Sequence, residues 1–289
     1  MPEARDPERP RRSRGILSLR FLLAFALLAV PVPTPAPLRR IVALAPSAAE
    51  ILFALGAAPR VVGVSDFARD LPDAAGKTRL GGFTPDLERV ALLAPDLVVV
   101  SKDGTDRAAW ERLSAMGMNV LVTGGTTLDG VLDDVTRVGA AIGESGRAAA
   151  LVASLEGRIA KAEARGRVHR GHTACVLVWP DPPVVAGRRT FLGDLLDRAG
   201  FVNAVPAGAG DWPRVSLETL AAWNPDLVVR PATAENAEAF RAAFEGGTFR
   251  IVPAVREGRI ATLPGNLLER PGPRLVDALE KLAALGSGP

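Results

Sequence analysis

The chain has 289 residues, which is enough for two domains of ordinary size, each with its own apolar core. Its 48% hydrophobic and 23% charged residues are typical of a globular protein. The net charge is +3, and residues 1–36 account for all of it because they contain six arginines and three acids. The remainder is formally neutral, which argues against a nucleic-acid-binding protein, since such proteins keep their positive charge on the folded part.

The first 36 residues have the pattern of a signal peptide. An arginine-rich stretch (11–14) precedes an apolar run (21–30), and a proline-rich stretch follows. We therefore predict that residues 1–36 direct export and that the rest of the chain is periplasmic. An uncleaved membrane anchor is the alternative, because an apolar segment extended to 16–30 approaches the ~20 residues that span a bilayer.

The first lobe is predicted to cover 37–143 and to begin with a strand at 40–44. Ser47 and Glu50 have the spacing of a capping box, which predicts that a helix begins there. A long stretch without periodicity, 65–85, follows the second strand. Long loops of this kind in compact domains are often binding loops.

One unit of 14 residues then occurs twice, at 87–100 and again at 217–230, with eight identical positions. In each copy a polar residue, Asp86 or Ser216, can cap a short helix, and a proline stops that helix. The apolar run after the proline is typical of a buried parallel strand. A duplicated helix–strand unit at domain-sized spacing predicts two similar α/β lobes.

A helix of about 22 residues is predicted at 144–165, between the two copies. It presents apolar residues at spacings of three and four, namely Leu151, Leu155, Ile159 and Ala162. We therefore assign 144–168 to a connecting helix and 169–289 to the second lobe.

The sequence lacks the motifs of common enzymes and metal sites. It contains no nucleophile elbow, phosphate loop, HExxH motif or strand-linked GxGxxG. Cys175 lies in an apolar strand and is predicted to be an inert buried thiol, and His169 and His172 are predicted to lie in a solvated turn. There is no tyrosine, which excludes a tyrosinate ligand to haem iron. We expect no metal site and no resident cofactor.

Four large aromatic residues fall in predicted loops or at a strand end: Phe67, Phe83, Trp179 and Trp212. Ligands of open α/β sheets bind beyond the carboxyl ends of the strands, and flat apolar side chains there would suit a large planar ligand. Packing beneath a loop is the alternative for each of the four. Trp110 and Trp223 lie within predicted helices, which favours core packing instead.

Asn266 and Arg270 follow the last predicted strand. At the mouth of a cleft they can hydrogen-bond to amide or carboxylate groups of a ligand. A capped, solvated turn is the alternative interpretation of this segment.

Glu88 and Glu218 occupy the same place in the two copies, in the first turn of each helix. The helix dipole alone favours an acid there by ~0.3–1 kcal/mol. The alternative is functional, because two acidic points related by a pseudo-twofold axis would match basic points on two subunits of a partner.

These motifs together resemble those of the periplasmic substrate-binding proteins of ABC importers for cobalamin, ferric siderophores and haem. The resemblance covers about 40–285 and rests on four motifs: RIVALAPSAAEILFALGA, VVGVSDF, the two LE…PDLVV units and ERPGPRLVDALEKLA. It implies an α/β fold of two Rossmann-like lobes joined by one long α-helix, with the ligand between them and little hinge motion. It also implies that Glu88 and Glu218 pair with arginines of the permease dimer.

The cobalamin-binding members are the most similar. The resemblance places Phe67, Trp179 and Trp212 at aromatic positions that contact the corrinoid, and Asn266 and Arg270 in a ligand-contacting turn. The chain departs from that pattern at 266, where the family would have an aspartate.

The sequence therefore predicts a monomeric exported receptor, not an enzyme. It would capture a metal chelate, cobalamin or a related corrinoid, and deliver it to an inner-membrane ABC permease. A ferric siderophore or haem is the alternative ligand. An exported α/β enzyme and a membrane-anchored sensor are the alternatives of other classes.

Overall fold

Strands and helices alternate along the chain in two groups, one on either side of a long helix. The structure, a computed structural model, describes residues 38–233 and 236–286, so the predicted signal peptide lies outside it. The strands are β1 Ile41–Ala43, β2 Val61–Val64, β3 Thr78–Arg79, β4 Leu97–Ser101, β5 Val120–Thr123, β6 Thr173–Pro180, β7 Pro183–Val185, β8 Val202–Asn203, β9 Leu227–Ala232 and β10 Ile260–Pro264. The α-helices are α1 Pro46–Ala54, α2 Leu87–Leu92, α3 Arg107–Ala115, α4 Leu128–Ala141, α5 Ser145–Gly166, α6 Phe191–Arg198, α7 Leu217–Trp223, α8 Ala237–Glu245, α9 Pro253–Arg256 and α10 Leu275–Ala283.

The strands form two separate sheets. The first has the order β3-β2-β1-β4-β5 and is parallel throughout. The second has the order β10-β9-β6-β7, with β8 beside the start of β6 and with β7 antiparallel to its end. The predicted fold class, two α/β lobes joined by a long helix, is confirmed.

The central strands are apolar along their whole length because both faces of each sheet are buried. In β4, Leu97 and Val99 pack into one core cluster while Val98 and Val100 pack into another on the opposite face. The second sheet repeats this alternation in β6, where Cys175 is fully buried and burial raises the pKa of its thiol to about 12. The prediction of an inert thiol is confirmed.

The duplicated unit forms α2–β4 in the first lobe and α7–β9 in the second. As predicted, both short helices have side-chain caps. Asp86 Oδ1 accepts a hydrogen bond from the Arg89 N–H at 3.0 Å, and Ser216 Oγ accepts one from the Thr219 N–H at 3.2 Å. The same local chemistry therefore begins the equivalent helix in each lobe.

The two helices also end alike. Ala94 (φ 41°) and Asn224 (φ 45°) follow α2 and α7 at equivalent positions and are the non-glycine residues of positive φ in the described chain. Asparagine tolerates this left-handed conformation better than alanine, whose Cβ is crowded against the neighbouring carbonyl.

We expect Ala94→Gly to raise the free energy of unfolding by about 0.5–1 kcal/mol, because it removes the crowded Cβ at an exposed position. Ala91→Gly, inside the same helix, is the control and should lower it by about 1 kcal/mol. Urea unfolding curves of both variants measure the difference. A loss of stability in the Ala94 variant would contradict this account.

The long helix α5 packs against both lobes. Ala148 belongs to the core of the first lobe, Leu155 and Ile159 belong to the core of the second, and Leu151 contacts both. The helix predicted at 144–165 is thus confirmed to within one residue at each end. The lobe limits at 143 and 169 stay a prediction.

A cluster of polar residues forms a second set of contacts between the two lobes. The Leu128 N–H at the start of α4 donates to Asp194 Oδ2 in α6 at 2.8 Å, and Arg198 of α6 forms a 2.6 Å ion pair with Asp129 of α4. Leu128 and Leu132 of α4 are also buried within the core of the second lobe. Moving the lobes apart would break this packing, which favours the small hinge motion that the resemblance implies.

The prediction that His169 and His172 both lie in a solvated turn is wrong for His169. His169 is buried, its ring stacks on Phe201 with centroids 4.3 Å apart, and burial lowers the pKa of the imidazole. His172 is exposed. The polar sequence around His169 concealed its packing, because Phe201 lies 32 residues away.

Trp110 and Trp223 are half-buried and pack against the core clusters of their lobes, as predicted. Within the described residues, no group of three or more metal-ligating side chains is placed to hold a metal ion.

Candidate functional site: a cleft between the lobes

The carboxyl ends of the parallel strands of both sheets meet at one cleft. Segments that follow β1, β2 and β4 face segments that end or follow β6, β9 and β10 across two cavities of about 660 and 330 Å³. Several residues line both cavities, namely Pro46, Asp103, Gly104, Val178, Glu269 and Arg270. We call the combined space the interlobe cleft. Its position follows from the topology, because parallel strands leave a crevice at their carboxyl ends.

Four aromatic side chains surround this cleft. Phe67, Phe83 and Trp179 line the larger cavity and Trp212 lines the smaller one. Their side chains are 48%, 52%, 40% and 42% exposed, respectively. Exposed aromatic surface gathered around a concave space is typical of a ligand site. The fold thus brings the four predicted aromatic residues together, and their contact with a ligand stays a prediction.

The first-lobe aromatics are positioned by the backbone of the loop at 65–85. Phe67 lies on a 3-10 turn, Asp66–Ala68, which Ser65 caps by accepting the Phe67 N–H at 3.3 Å. A Cβ at position 82 would lie 2.9 Å from the Phe67 ring, so the ring rests directly on the Gly82 backbone. The loop is also less irregular than expected, because Thr78–Arg79 adds an edge strand that is too short to show periodicity.

The second-lobe aromatics are held by polar and ring contacts. Trp179 Nε1 donates a hydrogen bond to the Asp181 carbonyl at 2.8 Å. Trp212 packs at a tilt against Phe191, with ring centroids 5.8 Å apart. Each indole is therefore supported while part of its surface stays open to the cleft.

Arg270 lies in the cleft wall and not in a solvated turn. Its side chain is buried, and its Nη2 donates to Asp70 Oδ2 of the first lobe at 2.6 Å. Burial alone would raise the pKa of Asp70, but the hydrogen bond and charge of Arg270 outweigh it and lower the pKa. The nearby Asn266 side chain makes a smaller contribution that also lowers the pKa of Asp70. Arg270 Nε and Nη1 find no acceptor among the described residues.

The predicted capping box at Ser47 and Glu50 is wrong, because α1 begins two residues earlier than the box requires, with Ala45 as its N-cap and Pro46 at its first position. Glu50 is buried and reaches the second lobe instead: its Oε1 accepts the Arg274 N–H at 2.7 Å. Burial raises the pKa of Glu50, and this effect outweighs the opposing hydrogen bond from Arg274 and the nearby arginine charges.

We expect Glu50→Gln to be more stable than the wild type at neutral pH, because glutamine accepts the same hydrogen bond without a buried charge. A carboxyl whose folded pKa is raised loses stabilisation as pH rises from the unfolded pKa through the folded one. The difference in melting temperature between the variant and the wild type should therefore shrink as pH falls through the raised pKa of Glu50 toward the ordinary glutamate pKa of 4.5. Calorimetry across this range measures it, and a difference that grows on acidification would contradict the assignment.

Sequence patterns did not identify Asp70 and Asp103 as cleft residues, nor Glu50 as a residue that joins the two lobes. Asp103 lies two residues after the carboxyl end of β4, and this position was a usable signal. Asp70 carried no comparable signal, since its partner Arg270 is 200 residues away.

Glu88 and Glu218 are both exposed, in the first turn of α2 and α7, respectively. A hydrogen bond from Ser216 lowers the pKa of Glu218 and so favours its charged form. Both carboxylates are therefore available at the surface, one on each lobe.

Among the described residues no helix combines the length and the apolar character that crossing a bilayer requires.

Comparison with known proteins identifies the family. Residues 41–267 match the family model described as periplasmic binding protein. A cobalamin-binding protein of Halobacterium salinarum is 30% identical over 264 residues, which cover 84% of this chain and 68% of that protein. The periplasmic heme-binding protein RhuT of Roseiflexus sp. RS-1 is 28% identical with a TM-score of 0.75, over 85% of this chain and 96% of that one.

The periplasmic vitamin B12 binding protein BtuF of Vibrio cholerae shares the fold, with a TM-score of 0.73 at 22% identity over 86% of this chain and 96% of that one. The family match therefore covers most of the chain, and it agrees with the observed architecture of two sheets, one long connecting helix and a cleft at the strand ends. The chain belongs to the periplasmic binding protein family, whose members are solute receptors and not enzymes.

Proposed function

We propose that this protein captures cobalamin or a related corrinoid in the periplasm and delivers it to an inner-membrane ABC permease. The observation that carries the proposal is the set of four exposed aromatic residues around the interlobe cleft. The combined cavities are within the range of small-molecule sites, about 300–1,000 Å³. Flat rings at both walls suit a large planar macrocycle, and the 30% identical relative is a cobalamin-binding protein.

Phe67 and Phe83 would contact the ligand from the first lobe and Trp179 and Trp212 from the second. Asn266 and Arg270 would donate hydrogen bonds to polar groups of the ligand on the side of the cleft where Asp70 lies. A small movement of these two side chains would bring them into contact with the ligand. The protein would act as a monomer, since its two lobes already provide both walls.

Delivery requires docking on the permease, and we assign this role to Glu88 and Glu218. Family members deliver solutes to ABC permeases, which present two similar subunits. Two exposed carboxylates at equivalent places on two similar lobes match such a partner, provided that it offers a basic group on each subunit. Residues 1–36 would supply the export signal.

Haem or a ferric siderophore is the second candidate ligand. Its support is the 28% identity to a heme-binding protein and a similar identity to a ferric-hydroxamate transport protein of Saccharomonospora viridis. Haem would have to bind without a tyrosinate, because the chain contains no tyrosine.

A titration of purified 37–289 with cyanocobalamin tests the proposal. We expect saturable one-to-one binding at micromolar concentration or below, with quenching of the fluorescence of Trp179 and Trp212. Haemin and a ferric hydroxamate are titrated in parallel. If haemin or the ferric hydroxamate binds saturably and cyanocobalamin does not, that chelate is the ligand in place of the corrinoid. Absence of binding to all three would refute a chelate receptor.

A further inference from the structure

The wall of the interlobe cleft carries more negative than positive charge. Five ionisable residues line it: Arg69, Asp70, Asp103, Glu269 and Arg270. Two of these are cations and three are anions, which gives a formal charge of −1. Arg270 and Asp70 already neutralise each other through their 2.6 Å ion pair. The cleft therefore offers no excess positive charge to an anionic ligand.

Asp103 is the carboxylate that is best placed to contact a ligand. It lines both cavities of the cleft, and its side chain is exposed there. Among the described residues no donor is hydrogen-bonded to its carboxylate, so its acceptor positions remain available. Partial burial in the cleft raises the pKa of Asp103, while the charge of its neighbour Lys102 opposes this shift.

We infer that Asp103 selects the ligand by charge. It accepts hydrogen bonds from amide N–H groups of a neutral or cationic chelate, and it disfavours chelates that place carboxylates or other anionic groups against it. The inference rests on the proposed receptor function and specifies the ligand class within it.

The physical reason is the loss of water when the cleft fills. A ligand that covers Asp103 removes its hydration, and an amide N–H replaces the lost hydrogen bonds whereas a carboxylate cannot. Like charges a few ångströms apart in a partly dehydrated site repel strongly enough to change affinity about tenfold or more.

The test compares Asp103→Asn with the wild type on three probes. These are cyanocobalamin, a cyanocobalamin monoacid in which one peripheral amide is hydrolysed to a carboxylic acid, and haemin with its two propionates. We expect the variant to bind haemin and the monoacid about tenfold tighter than the wild type does, and to bind cyanocobalamin with unchanged or lower affinity. Isothermal calorimetry at low and high salt measures each dissociation constant.

Two further variants serve as controls. Asp73→Asn removes an exposed carboxylate of the same lobe that does not line the cleft, and it should leave all three affinities unchanged. Asp103→Glu keeps the charge and should keep the discrimination against anionic probes.

The inference would be overturned if Asp103→Asn and the wild type bind haemin with equal affinity, or if neither of them binds haemin. This result is distinct from failure of the proposed function, which is a wild type that does not bind cyanocobalamin. In that case a tighter complex of the variant with haemin would still support selection by charge.

Discussion

Replacing both Trp179 and Trp212 by alanine should weaken ligand binding by about 10²–10³-fold. The two indoles face the interlobe cleft with 40% and 42% of their side chains exposed, so this surface is available for a planar ligand to cover. Truncation of a tryptophan at the centre of a binding site typically costs about 2 kcal/mol or more, and each 1.4 kcal/mol is a tenfold change in affinity. Isothermal calorimetry with cyanocobalamin measures the effect for each single variant and for the pair.

Conservative changes separate ring contact from general damage. Trp179→Phe and Trp212→Phe keep a flat ring and should retain most of the affinity. Trp223→Phe changes a half-buried tryptophan that packs against the core of the second lobe, so it should leave ligand affinity unchanged. Wild-type affinity in the double alanine variant would show that these indoles do not contact the ligand.

Reversing the charge at Glu88 and Glu218 together should abolish ligand uptake while leaving ligand affinity unchanged. Both carboxylates are exposed, and neither lines the interlobe cleft, so arginine at these positions should not disturb binding. At a docking interface, each reversal would replace an attraction by a repulsion between like charges, which costs several kcal/mol. Transport of labelled ligand into cells and stimulation of the ATPase of the reconstituted permease are the two measurements.

Glu156→Arg is the matched control, because Glu156 is an exposed acid on the connecting helix α5. This variant changes the net charge by the same amount and sign as each single charge reversal, and it should leave uptake intact. Uptake at the wild-type rate in the double reversal would remove Glu88 and Glu218 from the docking surface. Each single variant should retain partial uptake, since one acidic point would remain.

Features encoded by neighbouring residues were predictable. The caps at Asp86 and Ser216 and the buried runs of β4 and β9 depend on short-range hydrogen bonds, on proline sterics and on apolar periodicity. The length of α5 was predictable because its apolar residues recur at helical spacing. The capping box at Ser47 failed because Pro46, which favours the first helical position, moved the start of the helix by two residues.

For the candidate site, the sequence indicated the aromatic residues and the turn at 266–270 but not their surroundings. Asp70 and Asp103 line the cleft and Glu50 joins the two lobes through Arg274. Asp70 and Glu50 bind residues that are 200 and 224 positions away, respectively. Neither Asp70 in its polar loop nor Glu50 within α1 carries a local pattern that indicates its partner, so these two contacts were visible only in the folded structure.

The sequence by itself determined the duplicated helix–strand unit, the long connector and the placement of aromatic residues after strands. These features depend on backbone sterics and on solvent exclusion within a few turns of chain. Tertiary structure decided which strand ends meet, which acid neutralises Arg270 and which carboxylate in the cleft stays unpaired. Those outcomes depend on how the two separate sheets pack against α5. Local patterns therefore defined the elements, and long-range packing created the cleft between them.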